Sequence, residues 1–298
     1  MITDFKDQSE MEQRVASLEQ MLEMTTSYMS EIEHDLNTKK QKLEDYNRQF
    51  NQSLDFASII QNSIQPDEQL LSSAFKNGFL INKPRDVIGG DLVWLRKTER
   101  FSYLACMDCT GHGVPGALLS MVASFSMNSV VAQADYKDPK ELIIDFNDQF
   151  CTYFQHHENE NKDLDHGLDI GMVILDREEN TLRFNGTRQS LIYTNRNSID
   201  NIRGDSAYIG NSSLTLGEST NLPVSSGGRY FLFSDGIVDQ FGGPKNKKFL
   251  ARRLRQLLFD TRNLDMKSQK DKVENEFDLW KGEEEQTDDI LLIGFEIE

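Results

Sequence analysis

The chain has 298 residues, 38% hydrophobic and 27% charged, with a formal net charge of −17. That length suits one large domain or a domain with an extension, and that composition folds rather than staying disordered. An acidic excess of this size argues against nucleic acid and against an anionic membrane surface, both of which demand clustered Lys and Arg.

No apolar run approaches the roughly 20 residues of a membrane span, and the N-terminus lacks a signal-peptide core. The expected location is therefore the cytoplasm, with no membrane partner. Three cysteines make no disulfide framework and fit a reducing compartment.

The first element is a heptad repeat over residues 11–57. With Val15 at position a, that row continues through Leu22, Met29, Leu36, Leu43, Phe50 and Ala57. The d row is weaker, carrying Thr25 and Lys39 among Met11, Leu18, Ile32, Tyr46 and Ser53. An unbroken apolar a row predicts a coiled coil. In a parallel pair Arg14 meets Glu19 and Asp35 meets Lys40, both opposite in sign, so the expectation is a parallel homodimer through residues 11–57. Its stalk would be roughly 70 Å long at 1.5 Å per residue. The competing reading is one long amphipathic helix folded back on the rest of the chain.

Helical character continues from Ser58 to Ser73, interrupted by Pro66. The predicted organisation is a dimerisation stalk over 1–57, a connecting and regulatory helix over 58–75, and a globular domain over 76–298. Beyond Phe79, β-branched and aromatic runs predict strands at 101–107, 170–175, 181–184, 191–193, 229–233 and 290–297. Helices are predicted at 116–133, 140–157, 247–259 and 266–281. Strands grouped beside long helices indicate an α+β fold or layered sheets flanked by helices.

Four acidic clusters sit where those strands meet turns: Gly89-Gly90-Asp91, Met107 to Gly113 around Asp108, Ser234-Asp235-Gly236 and Thr287-Asp288-Asp289. Each alone reads as a turn or cap aspartate. Together, if the strands are neighbours, they bring carboxylates to one sheet end, where they repel strongly unless a cation neutralises them. A hard divalent ion needs such oxygen ligands beside glycines that let the backbone approach. The chemistry such a site supports is phosphate-ester hydrolysis by two metals.

The run Lys83-Pro84-Arg85-Asp86-Val87-Ile88-Gly89-Gly90-Asp91, followed by Asp108-Cys109-Thr110-Gly111-His112-Gly113-Val114-Pro115-Gly116-Ala117, resembles the SpoIIE-type bacterial phosphatases. These are the prokaryotic branch of the PPM (protein phosphatase 2C-like) Ser/Thr phosphatases. Leu168-Asp169-Ile170, Ile209-Gly210, Phe233 to Ile237, Asp239 to Gly243 and Asp288-Asp289-Ile290 extend the match over residues 58–298 in the family's order. The resemblance implies an αββα sandwich with two Mn²⁺ or Mg²⁺ ions at one end. It implies that Asp108 bridges both ions and the Cys109 carbonyl binds the second. Asp235 and Asp288 would hold the first ion, with Asp289 as the neighbouring alternative, and Asp91 would serve the second.

The implied activity is attack of a metal-bound water on a phosphoserine or phosphothreonine, with Asp108 and Asp235 central. The substrate would be a small bacterial regulatory phosphoprotein, a STAS-type anti-anti-sigma factor or a related regulator of cyclic-di-GMP signalling. Two departures matter. Eukaryotic relatives carry a histidine two residues after the bridging aspartate, where this chain has Thr110; His112 is read as a hydrogen-bonding loop residue, not a catalytic one. For the arginine that grips phosphate in those relatives, Arg85 and Lys83 are the candidates.

Other signals are set aside. Cys106 and Cys109 have C-x-x-C spacing, but positions three apart on a strand face opposite ways and no second pair exists. His156, His157 and His166 lie in a run rich in acidic and amide residues that reads as a loop, and Ser226-Gly227-Gly228 reads as a hairpin turn. The rival function is a non-catalytic adaptor that keeps the fold for partner binding on a coiled-coil dimer; its signature would be lost metal carboxylates, and none is missing.

Overall fold

The computed structural model describes residues 2–154, 167–224 and 227–297, which divide into two compact units, Met1–Phe56 and Ala57–Glu298. The three histidines of the 155–166 run, the last residues of the helix predicted at 140–157, and Ser226 lie outside the described residues. All described residues of the first unit belong to helix α1 (Ile2–Ile64). Its a-row side chains Val15, Leu22, Met29, Leu36, Leu43 and Phe50 are all exposed.

In the second unit, α1 ends before Pro66 and the chain restarts as α2 (Glu68–Ala74), capped where the Leu70 amide donates to Asp67 Oδ1 at 2.7 Å. Then come β1 (Asn77–Lys83), β2 (Leu92–Lys97), β3 (Phe101–Cys109), α3 (Gly113–Val131) and α4 (Pro139–Thr152). They are followed by β4 (Leu168–Asp176), β5 (Thr181–Thr187), β6 (Ser190–Thr194), β7 (Ile199–Arg203), β8 (Thr220–Leu222) and β9 (Arg229–Phe233). The chain closes with α5 (Asp235–Asp239), β10 (Phe241–Gly242), β11 (Lys247–Lys248), α6 (Ala251–Asp260), α7 (Met266–Lys281) and β12 (Ile290–Glu296).

Two antiparallel five-stranded sheets result, ordered β1-β12-β9-β6-β7 and β2-β3-β4-β5-β8, with β10-β11 a separate small hairpin. Strand alternation assigns each side chain to a layer. Val93, Leu104, Cys106 and Val173 of one sheet meet Leu191, Tyr230, Leu232 and Ile293 of the other in the central core. Leu92, Trp94, Tyr103 and Met107 point the opposite way, onto Ala123 and Met127 of α3 and Phe146 and Phe150 of α4. On the far side Phe79, Phe231 and Leu292 pack against Leu254 and Leu258 of α6 and Val273 and Phe277 of α7. The architecture is the αββα sandwich expected.

Several boundaries differ from the sequence reading. The helix placed at 247–259 starts only at Ala251, because Lys247-Lys248 close the β10-β11 hairpin and Leu250, at φ 70°, breaks the path into α6. Strands β1, β2, β7 and β8 lie outside the predicted set: the apolar centres of β1 and β2, Phe79-Leu80-Ile81 and Leu92-Val93-Trp94-Leu95, are brief and run into polar or charged residues, and β7 and β8 are short and polar. Contrary to the expectation that no apolar run nears the length of a membrane span, α3 is long and apolar enough by composition. Half of it is buried, and its Ala123, Met127 and Val130 belong to the core against β2 and β3.

Candidate active site

Strand pairing brings the acidic clusters together. On β3, Asp108 lies in register opposite Asp169 of β4. Asp91 immediately precedes β2, whose Leu92 pairs with Met107. Asp235 opens α5 directly after β9, and Asp288 and Asp289 precede β12, the neighbour of β9. The carboxylates therefore come from the same end of both sheets.

Close backbone approach requires glycine here. A Cβ on Gly236 would fall 1.9 Å from the Asp289 carbonyl oxygen, and one on Gly90 would fall 2.8 Å from the Cys109 carbonyl oxygen. No larger residue fits either place without backbone movement.

A cavity of about 290 Å³ opens between these elements, and Asp108, Cys109, Asp169, Asp235 and Asp288 line it. Crowding raises their proton affinity. Burial, then Asp235, Asp288 and Asp169, push Asp108 up to about 8. Burial and then Asp288 raise Asp235. Burial takes Asp169 to about 6, with Arg188 pulling the other way. Asp91 is raised well above the carboxylate range, first by burial and then by Asp108. Charged carboxylates held this close are the mark of a site built for cations.

The two adjacent aspartates separate cleanly. Asp289 is buried and accepts the Arg85 amide at 2.7 Å on one oxygen and the Gly90 amide at 2.6 Å on the other. Asp288 is the one that lines the cavity. Asp91 lies beside it on a second cavity of about 310 Å³ with Gln61, Gly89 and Asp289, and its Oδ2 accepts the Ser234 hydroxyl at 2.6 Å.

Neither basic candidate reaches the acidic cavity. Lys83 ends β1 facing α7, where its Nζ stands 3.6 Å from Glu274 and 3.4 Å from Asp278. Arg85 lies on the 84–91 segment, its guanidinium donating to the Thr287 carbonyl at 3.3 Å. The cavity's cation is Arg188, which the sequence reading missed. It sits between β5 and β6 at φ 51°, with its guanidinium 5.1 Å from the centre of the Tyr208 ring. Its sequence signal is faint, one arginine between two strands. Asp169 was also missed as a site residue, although it falls inside a quoted motif; strand register with Asp108 is what identifies it. His112 lines the mouth and its Nδ1 lies 2.9 Å from Asp86 Oδ2, the hydrogen-bonding role expected.

An all-oxygen donor set fits a hard divalent cation. Asp169 Oδ1 is buried with no hydrogen-bond partner among the described residues, as a group awaiting an ion or water would be. Among the described residues, no three Asp, Glu, His or Cys side chains enclose an ion by themselves. Mg²⁺ and Mn²⁺ keep several water ligands, so one or two carboxylates per ion suffice.

Comparison with known proteins agrees with this architecture. The sequence pattern of the family described as Stage II sporulation protein E (SpoIIE) matches residues 100–298. The SiaA-PP2C domain of Pseudomonas aeruginosa superposes with a TM-score of 0.76 at 29% identity, covering 85% of this chain and 98% of that one. The PP2C phosphatase domain of SpoIIE from Bacillus subtilis, with a fragment of its regulatory domain, gives 0.60 at 14% identity, covering 73% and 61%. A serine/threonine phosphatase of S. agalactiae gives 0.56 at 12% identity, covering 74% and 99%. No curated protein sequence matches the chain.

Proposed function

Because the chain belongs to the SpoIIE family of PP2C-type bacterial serine/threonine phosphatases, we propose that it dephosphorylates a small bacterial regulatory phosphoprotein. A STAS-type anti-anti-sigma factor or a related regulator of cyclic-di-GMP signalling is the class we favour. Metal-dependent dephosphorylation of serine or threonine is the general activity of the family. One observation carries the residue roles: Asp108, Asp169, Asp235 and Asp288 line a single cavity together with Arg188.

In our reading Asp108, Asp235 and Asp288, with Asp91 and the Cys109 carbonyl, would hold two Mg²⁺ or Mn²⁺ ions. Such ions, when bound, would supply an activated water and neutralise charge on the phosphoryl oxygens. The chain's own groups do the rest. Arg188 grips the phosphate in place of Arg85 and Lys83, since a guanidinium matches two phosphate oxygens at once. The amides of Arg85 and Gly90, anchored on Asp289, hold the 84–91 segment so that Asp91 stays in place. Ser234 orients Asp91 and accepts the Leu291 amide at 3.0 Å, tying the strand ends together.

Control belongs to the N-terminal helix. Gln61 is buried, donates to the Gly89 carbonyl at 2.6 Å and to Ser120 Oγ at 3.1 Å, and accepts the Gly89 amide at 3.3 Å. A shift of that helix therefore pulls on the segment leading to Asp91. The exposed a row of α1 supports pairing as a parallel coiled-coil dimer, and deleting residues 1–57 is expected to lower turnover with the fold intact. Unchanged turnover in a monomeric truncation would contradict this coupling.

The test of function is Mn²⁺-dependent hydrolysis of an aryl phosphate by the full chain, abolished by Asp108→Asn or Asp235→Asn. The Asp108→Asn protein then serves to capture its phosphoprotein. Silence toward every phosphoprotein with either metal would favour the adaptor.

A further inference from the structure

Helices α6 and α7 each have a second face that the sandwich core covers only in part. On α6, Leu254 and Leu258 face the core. Arg253, Leu257 and Asp260 lie at i, i+4 and i+7 on another face of α6, and with Leu250 and Leu264 on either side of the helix they line a groove of about 870 Å³. On α7, Val273 and Phe277 face the core, while Lys272, Glu276 and Trp280 form a ridge at i+4 spacing along the same groove.

The groove is apolar in its walls and basic at its rim. Leu250 and Leu264 supply exposed apolar surface, and Leu257 and Trp280 line the walls from half-buried places against the core, over the buried Phe249. Five cationic side chains line it against two carboxylates, in a chain whose overall charge is −17. Lys248 and Lys272 are paired with Asp239 and Glu276. Lys247 and Arg252 make no ion pair among the described residues, and the Arg253 guanidinium lies 3.9 Å over the Trp280 ring.

Two further details mark the groove as more than a surface dent. Leu250 at its lip is 55% exposed and held at φ 70°, a backbone conformation that a bulky side chain rarely adopts. Strain of that kind persists where surrounding structure fixes it, often at ligand clamps; here the Leu250 amide donates to Val238 and the Phe249 amide to Gln240, each at 2.8 Å. The Trp280 indole N–H is buried without an acceptor among the described residues, although buried indoles usually find one.

We propose that this groove docks an acidic amphipathic helix of a partner protein. Its apolar face would lie on Leu257, Leu264 and Trp280, with its carboxylates on Lys247, Arg252 and Arg253. Charge complementarity selects this occupant. An acidic protein is repelled by most of this chain's surface and attracted at this rim, so long-range steering directs it here. The apolar walls then supply anchoring of the kind helix-in-groove recognition uses. The proposal does not depend on the phosphatase reading.

The probe is a fluorescein-labelled 18-residue helical peptide with Leu or Phe at i, i+3, i+4 and i+7 and Glu elsewhere. One control replaces every Glu by Lys, and a second replaces every apolar residue by Ser. Binding to the full chain is read by anisotropy and by Trp280 fluorescence; the only other tryptophan, Trp94, is buried with its indole N–H on Asn128. The expected result is a dissociation constant at least tenfold lower for the acidic amphipathic peptide than for either control. The Lys247→Glu, Arg252→Glu double variant should weaken it at least tenfold with the melting temperature unchanged. Should that variant unfold, Lys247→Ala with Arg252→Ala gives the same comparison at lower contrast. Equal binding by either control, binding unaffected by the substitutions, or no binding overturns the proposal. So does self-association of the chain that the substitutions abolish, which would make a second copy the occupant.

Discussion

Asp288 and Asp289 are neighbours in sequence, yet neutralising them should push the protein in opposite directions. The Asp289→Asn change replaces one carboxylate oxygen by an amide donor that then faces the Arg85 or Gly90 N–H. Both are now held at 2.7 Å and 2.6 Å. One charge-assisted hydrogen bond is lost and a backbone donor is left unsatisfied in a buried place, at a cost of about 1.5–3 kcal/mol. For a unit of this size that lowers the melting temperature by roughly 3–12 °C. Because the 84–91 segment carries Asp91, metal affinity should fall as well. The Asp288→Asn change instead removes one of the charges that raise Asp108 and Asp235. It should leave the metal-free protein as stable as the parent or more so, while abolishing phosphatase activity. Scanning fluorimetry without and with Mg²⁺, beside an aryl phosphate assay, separates the two. An Asp289→Asn protein as stable as the parent, or identical behaviour of both variants, would refute the assigned roles.

Without divalent cations, the fold should lose stability as pH rises from about 4 to about 8. Asp108, raised to about 8, keeps a proton there that the unfolded chain has released, so each such group contributes a slope of about −1.4 kcal/mol per pH unit. Urea unfolding at pH 5 and 8 measures this, and saturating Mg²⁺ should flatten it; stability rising over that range would contradict the burial of these carboxylates. Replacing Arg188 by Ala should lower kcat/KM by roughly 10–1000-fold without changing the melting temperature by more than a few degrees, and Lys should restore it only partly because an ammonium lacks the paired donors. Gly236→Ala should destabilise by several kcal/mol and reduce metal binding, since its Cβ falls 1.9 Å from the Asp289 carbonyl oxygen; a parent-like melting temperature and metal affinity would show that α5 is free to move.

Much of the site was legible because its carboxylates carry punctuation. Gly90 before Asp91, Gly111 after Asp108 and Gly236 after Asp235 mark strand ends in the sequence, and the sheet pairings bring those ends together. Strong alternating or wholly apolar strands such as β3 and β12 were readable from composition. Asp169 and Arg188 were not, because their importance lies in register and in a turn. Asp169 matters through its place opposite Asp108 across two strands, and Arg188 through a left-handed turn that no local preference demands. Lys83 looked suitable from its distance to Asp91 along the chain, but residues along β1 alternate between faces, and its side chain reaches Glu274 and Asp278 on α7 instead. The groove between α6 and α7 was invisible for a similar reason. A single helix pattern shows which residues are apolar, not which of two apolar faces is already used.

The carboxylates of the acidic cavity are drawn from both layers, Asp108 and Asp169 from one sheet and Asp235 and Asp288 from the end of the other. An ion shared between them would thus also be a rivet. Loading it would resist sliding of one sheet over the other, and any sliding would alter the cage that holds it. Amide exchange at the tips of β3, β4, β9 and β12 should slow on metal addition more than exchange at their opposite ends, so that one cofactor sets both the chemistry and the stiffness of the scaffold.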